Sequence, residues 1–170
     1  MKRLLLLVWI VLQAIRLPGI SSTEVVGFWK TIDSHKGFTT SVIAVYACDQ
    51  TVYGRVIVSY DEKTGELLET MYDPQKFVEK LSHPQRLLDI NIFWNLHLAK
   101  NRWKGGRVFD PRSGNTFNCE LWVQDEELIL RGMVGPFGMN NTFFPVESGD
   151  FPTGFVLPPL DTLKPCIPIT

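Results

Sequence analysis

The chain has 170 residues, 45% of them hydrophobic and 12% aromatic, with a formal charge of -1. That length fits one domain with appendages, and the composition is rich enough to fill a core, which excludes a disordered chain. Basic residues number 17 against 18 acidic ones. There is no net basic character of the kind that nucleic-acid binding uses, so a nucleic-acid partner is excluded.

The chain opens with Met1-Lys2-Arg3, a nearly unbroken apolar run from Leu4 to Ile15, and Pro18-Gly19-Ile20-Ser21-Ser22. This three-part form predicts a signal peptide over residues 1–22 and a protein that is periplasmic or secreted. The apolar run is short of the roughly 20 residues a bilayer span needs, and a retained N-terminal anchor is the alternative. Removing the leader takes Lys2, Arg3 and Arg16 and no acid, leaving 14 basic against 18 acidic residues, or a charge of -4.

Residues 23–147 are predicted to form the folded domain. Val25 to Asp33 reads as a first strand, Phe38 to Cys48 as a second rich in β-branched and aromatic residues, including Tyr46, and Thr51 to Tyr60 as a third. Ser34 to Gly37, Asp49-Gln50 and Asp61 to Gly65 are the turns between and after them. From Glu66 to Ser82 the apolar residues recur at spacings of three and four, with Pro74 interrupting, which predicts one or two short helices or a structured loop. Arg86 to Ala99 alternates through Ile90, Ile92, Trp94, Leu96 and Leu98 and predicts another strand.

The stretch from Trp103 to Val146 spells four strands and three turns. Asp110-Pro111-Arg112-Ser113-Gly114 has the chemistry of a tight turn, with Pro111 presetting φ and Gly114 free to take positive φ. Phe117, Cys119, Leu121 and Val123 then fall on one face, the period of two that marks a half-buried strand. Asp125 to Glu127 and Gly135 to Gly138 reverse the chain again. Close turns between short strands require antiparallel neighbours, because parallel ones need crossovers of about a dozen residues or more. The predicted architecture is mainly β: one antiparallel meander barrel of about eight strands.

Residues 148–170 form a proline-rich tail. Pro145, Pro152, Pro158, Pro159, Pro165 and Pro168 are six of the eleven prolines, and proline cannot donate to a ladder. Phe151, Phe155, Val156 and Leu157 give the tail apolar groups with which to dock. Cys48, Cys119 and Cys166 cannot all pair within one chain. A Cys48 to Cys119 bridge and two buried free thiols are both open, with the free thiols the simpler reading. The absence of a CxxC motif leaves no support for a metal site, and no cofactor is implied.

His35, His83 and His97 lie far apart, and neither a Gly-x-Ser-x-Gly elbow nor an H-E-x-x-H helix is present. Nucleophile, base and oxyanion donors are not jointly visible, so the chain is not expected to be an enzyme. If Trp103 and Phe109 point inward, strict alternation sends Arg107 inward as well, where it would need an anionic partner. A bulge would instead turn it to solvent. Lys100, Arg102 and Lys104 share a face that could make peripheral contact with anionic lipid or form a solvated edge.

Several of these pieces together resemble a family of small exported bacterial proteins, the domain of unknown function DUF2147. The matching residues are Gly27-Phe28-Trp29-Lys30-Thr31-Ile32-Asp33 with Gly37, Ser41-Val42-Ile43, and Tyr53-Gly54-Arg55-Val56. They continue through Trp103 to Pro111 with Ser113-Gly114, and then Leu130-Arg131-Gly132. The family's usual closing Trp-x-Arg is replaced here by Phe143-Phe144-Pro145. The resemblance implies a barrel of the lipocalin and fatty-acid-binding type, with an interior and no established activity, and it suggests that Trp29 closes the barrel bottom.

A barrel of eight strands either fills with side chains or holds one small ligand. The expected function is non-covalent binding of an apolar or amphipathic small molecule such as a fatty acid. Trp29, Tyr46, Trp103, Phe109, Phe117 and Leu121 would line the cavity, with Arg107 at the head group. A closed barrel acting as an envelope interaction module is the competing expectation.

Overall fold

A computed structural model describes residues 24–169. The expected leader, residues 1–22, lies outside the described residues. The chain forms β1 (Gly27–Ile32), β2 (Thr39–Cys48), β3 (Thr51–Tyr60), β4 (Leu67–Thr70), β5 (Asn91–Ala99), β6 (Arg102–Asp110), β7 (Asn115–Gln124), β8 (Glu127–Val134) and β9 (Phe137–Pro145). All pairings between them are antiparallel, and eight strands close into a barrel in the order β1-β2-β3-β5-β6-β7-β8-β9, with β9 returning to β1. The ninth, β4, pairs with Val58 to Tyr60 of β3, while β5 pairs with Thr51 to Arg55.

The two ends of the barrel are built from different turns. At one end Asp49-Gln50 and Asp125-Glu126 reverse the chain in two residues with positive φ throughout, and Lys100 at the β5–β6 reversal is also at φ 60°. Such turns match the right-handed twist of the strands they join. At the other end three loops share one construction: Asp33 to Gly37, Asp61 to Gly65 and Asp110 to Gly114. In each, the glycine N–H donates to the aspartate carbonyl at 2.8 Å. The glycines stand at φ 77°, 74° and 77°, a conformation that side chains resist. Each aspartate carboxylate also receives backbone N–H groups inside its own loop. This second end is the mouth.

Three apolar clusters organise the chain. Inside the barrel are Trp29, Ile43, Val45, Val52, Val56, Phe93, Leu96, Trp103, Cys119, Leu121, Leu128, Leu130 and Phe143. Gly54 makes room for Phe93, because a Cβ there would stand 2.0 Å from the ring. Outside, the tail residues Phe151, Phe155, Leu160 and Leu163 cover Val42, Ala44, Tyr46 and Ile57. The segment before β5 covers Trp94 and Phe109 with Val78 and Leu81. β2 is therefore buried on both faces, and for that reason its sequence runs almost continuously apolar instead of alternating.

Of the two forms expected for Glu66 to Ser82, short helices or a structured loop, the segment takes the loop. It gives β4 and then turns and bridges, and the 3-10 turn at Leu87–Asp89 lies beyond it. The cause lies in Glu69, whose Oε2 accepts the N–H groups of Gln75 and Lys76 at 2.6 and 2.9 Å and so holds the backbone in a non-helical path. Pro74 and Pro84 also remove donors that a helix would use.

The tail is tied to the barrel by a buried asparagine. Asn91 exchanges backbone-like bonds with Cys166: its N–H donates to the Cys166 carbonyl and its Oδ1 accepts the Cys166 N–H, both at 2.7 Å. Its Nδ2 donates to the Tyr46 hydroxyl at 2.9 Å, and that hydroxyl donates to the Lys164 carbonyl at 3.0 Å. The three cysteines are free thiols.

Candidate functional site

The residues singled out from sequence separate into three groups. Trp29, Trp103 and Leu121 belong to the packed interior; Trp29 donates its ring N–H to the Val25 carbonyl at 3.0 Å. Phe117 pairs with Val108 on the lumen face of β7, half-buried and nearer the mouth. Tyr46, Phe109 and Arg107 do not face the lumen. Tyr46 is fully buried beneath the tail and stacks on Tyr53 at 5.7 Å. Burial pushes its hydroxyl pKa upward. Phe109 is buried in the outer cluster against Trp94, with one edge bordering the mouth.

Arg107 is exposed because strict alternation fails on β6. Between the pairs Trp103–Leu121 and Gly106–Cys119, three steps on β6 match two on β7, a bulge centred on Gly105 at φ 74°. Trp103, Gly106 and Val108 consequently share the inner face, and Arg107 turns out to bond Asn118 Oδ1 at 2.7 Å. The inward orientation on which its head-group role rested is corrected by that single extra residue. Of the expected basic row, Arg102 and Lys104 meet Glu120 at 3.6 and 3.4 Å, and Arg102 lies 3.9 Å over the Trp122 ring.

Open clefts border the tail, and one lies at the mouth of the barrel. A cleft of about 510 Å³ descends between the loops, within the roughly 300–1,000 Å³ of ordinary small-molecule sites. Its apolar wall includes Ile43, Val56, Leu87, Ile92 and Phe143; its rim carries Asp61, Glu62, Lys63, Lys76, Asp110 and Arg112. Below it, Val45, Val52, Leu96, Leu121 and Leu128 are at most 3% exposed, so the closed half of the barrel is filled. The barrel is thus packed at one end and open at the other.

One side of the mouth is an uncovered apolar lip. β8 and β9 pair in register from Leu128–Phe143 through Gly132–Met139 to Val134–Phe137, so Val134, Phe137 and Met139 continue the inner face of the barrel. They are nonetheless 54, 77 and 69% exposed. The reason is β1, which meets β9 only at Trp29 and Lys30 and then turns away, leaving the upper part of β9 without a neighbour on that side.

On the rim, acids and bases differ in what they are bound to. Asp61 accepts the N–H groups of Lys63 and Thr64, both at 2.8 Å, and these bonds hold its carboxyl below the ordinary range. Asp110 is lowered likewise, first by the Ser113 hydroxyl at 2.6 Å and then by the Arg112 N–H, against the opposing effect of burial. Glu62 pairs with Arg112. Among the described residues the ammonium groups of Lys63 and Lys76 have no hydrogen-bond or ion-pair partner.

The lining residues Val56, Leu87, Ile92, Phe143, Lys63 and Lys76 escaped the sequence reading. A signal for the mouth was present, since Asp33-Ser-His-Lys-Gly37, Asp61-Glu-Lys-Thr-Gly65 and Asp110-Pro-Arg-Ser-Gly114 repeat one Asp-x-x-x-Gly spacing. The three loops follow β1, β3 and β6, which run in the same direction, and so they gather at one end.

A family model described as "Uncharacterized protein conserved in bacteria (DUF2147)" matches residues 27–144. No curated protein matches. Among solved structures, the chain is similar to protein HP1028 from Helicobacter pylori, described as belonging to the lipocalin family. The TM-score is 0.56 at 13% identity, covering 74% of this chain and 85% of that one. At that identity the likeness shows the fold alone.

Proposed function

The chain belongs to the DUF2147 family, and on that premise we propose that it is an exported carrier of one small amphipathic molecule, such as a fatty acid. The ligand is held non-covalently in the open half of the barrel. The observation that carries this reading is the cleft open at the mouth, with its apolar wall of Ile43, Val56, Ile92 and Phe143; Val134, Phe137 and Met139 stand exposed farther along the same face of β8 and β9, beyond Asn141. An apolar-walled cleft with a few polar groups at its rim is the usual form of a small-molecule site. The leader-like sequence of residues 1–22 supports export.

Binding, rather than turnover, is favoured by the scatter of the histidines. His35 sits in a mouth loop, His83 in the segment before β5 and His97 near the closed end of that strand, paired across to Thr51 and Lys104. Native mass spectrometry of the protein purified from cells, before and after organic extraction, tests the reading. An extractable adduct that fatty acids can replace is the expected result. A bare mass with no uptake of offered fatty acid would overturn it and favour a barrel that acts only through its surface.

A further inference from the structure

We propose that the ligand carries an uncharged, hydroxyl-bearing head group, of the kind a monoacylglycerol has, and that Thr31, Thr40, Ser41 and Ser59 receive it. This inference rests on the carrier reading above and narrows its ligand class. Thr31 pairs with Ser41 across β1 and β2, and Ser41 pairs with Ser59 across β2 and β3, so the three stand in one row on the inner face. At the bulge beside Thr31 an extra residue of β2, Thr40, joins them. All four line the cleft and are half-buried. The row follows Ile43 and Val56 toward the mouth and precedes the charged loop that begins at Asp61. It forms a hydroxyl collar between an apolar floor and a charged rim.

The collar's free hydrogen-bonding groups are of both kinds. The Thr31 hydroxyl bonds those of Thr40 and Ser41, each at 2.7 Å, and that of Ser59 has no partner among the described residues. The remaining hydroxyl of the cleft, on Tyr60, donates to the Asp150 carbonyl at 2.8 Å. Each hydroxyl offers one donor and two acceptor positions. Two bonds within the collar therefore leave O–H donors and lone pairs both open, and a hydroxyl head group answers them with donors and acceptors of its own. A carboxylate brings no donor and an ammonium no acceptor. No charged side chain belongs to the collar, so either ion would leave water there without a committed partner, a cost that an uncharged group avoids. Glu69, opposite Ser59 on β4, does not change this. It is 4% exposed, its Oε2 accepts the Gln75 and Lys76 N–H groups, and its other oxygen is sealed from solvent. The rim, with three acids and three bases, selects for neither sign.

Isothermal titration of the purified protein with monodecanoylglycerol, methyl decanoate, decanoate and decylammonium distinguishes the cases. The glycerol ester is expected to bind about tenfold tighter than the other three, the equivalent of one or two hydrogen bonds. A Thr31→Val, Ser41→Ala, Ser59→Ala triple variant should lose that preference while binding the methyl ester unchanged, and its melting temperature checks that it is folded. Ser59→Ala alone removes no bond within the protein and should weaken the glycerol ester about threefold, so it decides the matter even if the triple variant does not fold. Decanoate, decylammonium or the methyl ester binding as tightly as the glycerol ester, or folded variants that keep the preference, would overturn the collar assignment and leave the carrier reading intact. If none of the four ligands binds, both fall.

Discussion

Asp150 shows how one side chain fixes the path of a whole segment. It is 7% exposed, accepts Lys30 Nζ at 2.8 Å and the Glu147 N–H at 2.6 Å, and takes a further bond from the Thr39 hydroxyl. Burial alone would raise its pKa, but these bonds outweigh burial and hold it below the ordinary carboxylate value. A depressed folded pKa stabilises the fold fully above the unfolded value of about 3.9 and is lost as pH falls through the lower folded value. Asp150→Asn is therefore expected to cost about 3 kcal/mol at pH 7, the low end of what breaking a buried pair costs. Denaturant titrations should show the gap between the two proteins closing below pH 4. A gap that persists undiminished to pH 2 would show that charge is not its source.

At the scale of elements, the tail acts as an outer layer of the barrel. Its apolar residues complete the cover over β2 and β3, and Asn91 joins it to β5 through the Cys166 exchange. Truncating that side chain leaves the Cys166 N–H without its acceptor and removes the donor to the Tyr46 hydroxyl, which keeps its bond to the Lys164 carbonyl, a loss of about 1–3 kcal/mol for buried groups. Asn91→Ala should accordingly destabilise by that amount and open residues 150–169 to limited proteolysis while the barrel survives. Unchanged protease resistance would show that apolar contact alone holds the tail. Of the short helices or structured loop expected for the Glu66 to Ser82 region, the loop is found, for a reason at this same scale. Spacings of three and four were legible there, but Glu69 reaching across to the N–H groups of Gln75 and Lys76 was not.

For the molecule as a whole, the division into a filled half and an open half separates stability from binding. Trp29 packs with the interior cluster and pairs on one side with Ile43 and on the other with Pro145, close to the β1–β9 seam. Emptying that site should cost about 3–5 kcal/mol. Trp29→Ala is expected to lower the melting temperature substantially; an unchanged melt would refute its place in the core.

The strands, the turns and their antiparallel order were readable from the sequence because they depend on local chemistry: period-two alternation, turn glycines and aspartates, and prolines that end ladders. The repeated Asp-x-x-x-Gly loops were equally visible, and the strand order brings them together at the mouth. Only the tertiary structure decided which face each residue shows. A bulge at Gly105 turned Arg107 to solvent, and docking of the tail buried Tyr46 on the outside. The early departure of β1 left the lip bare. Alternation fixes faces only relative to neighbours on the same strand, so one inserted residue or one covering segment reverses inside and outside without a trace in the local pattern.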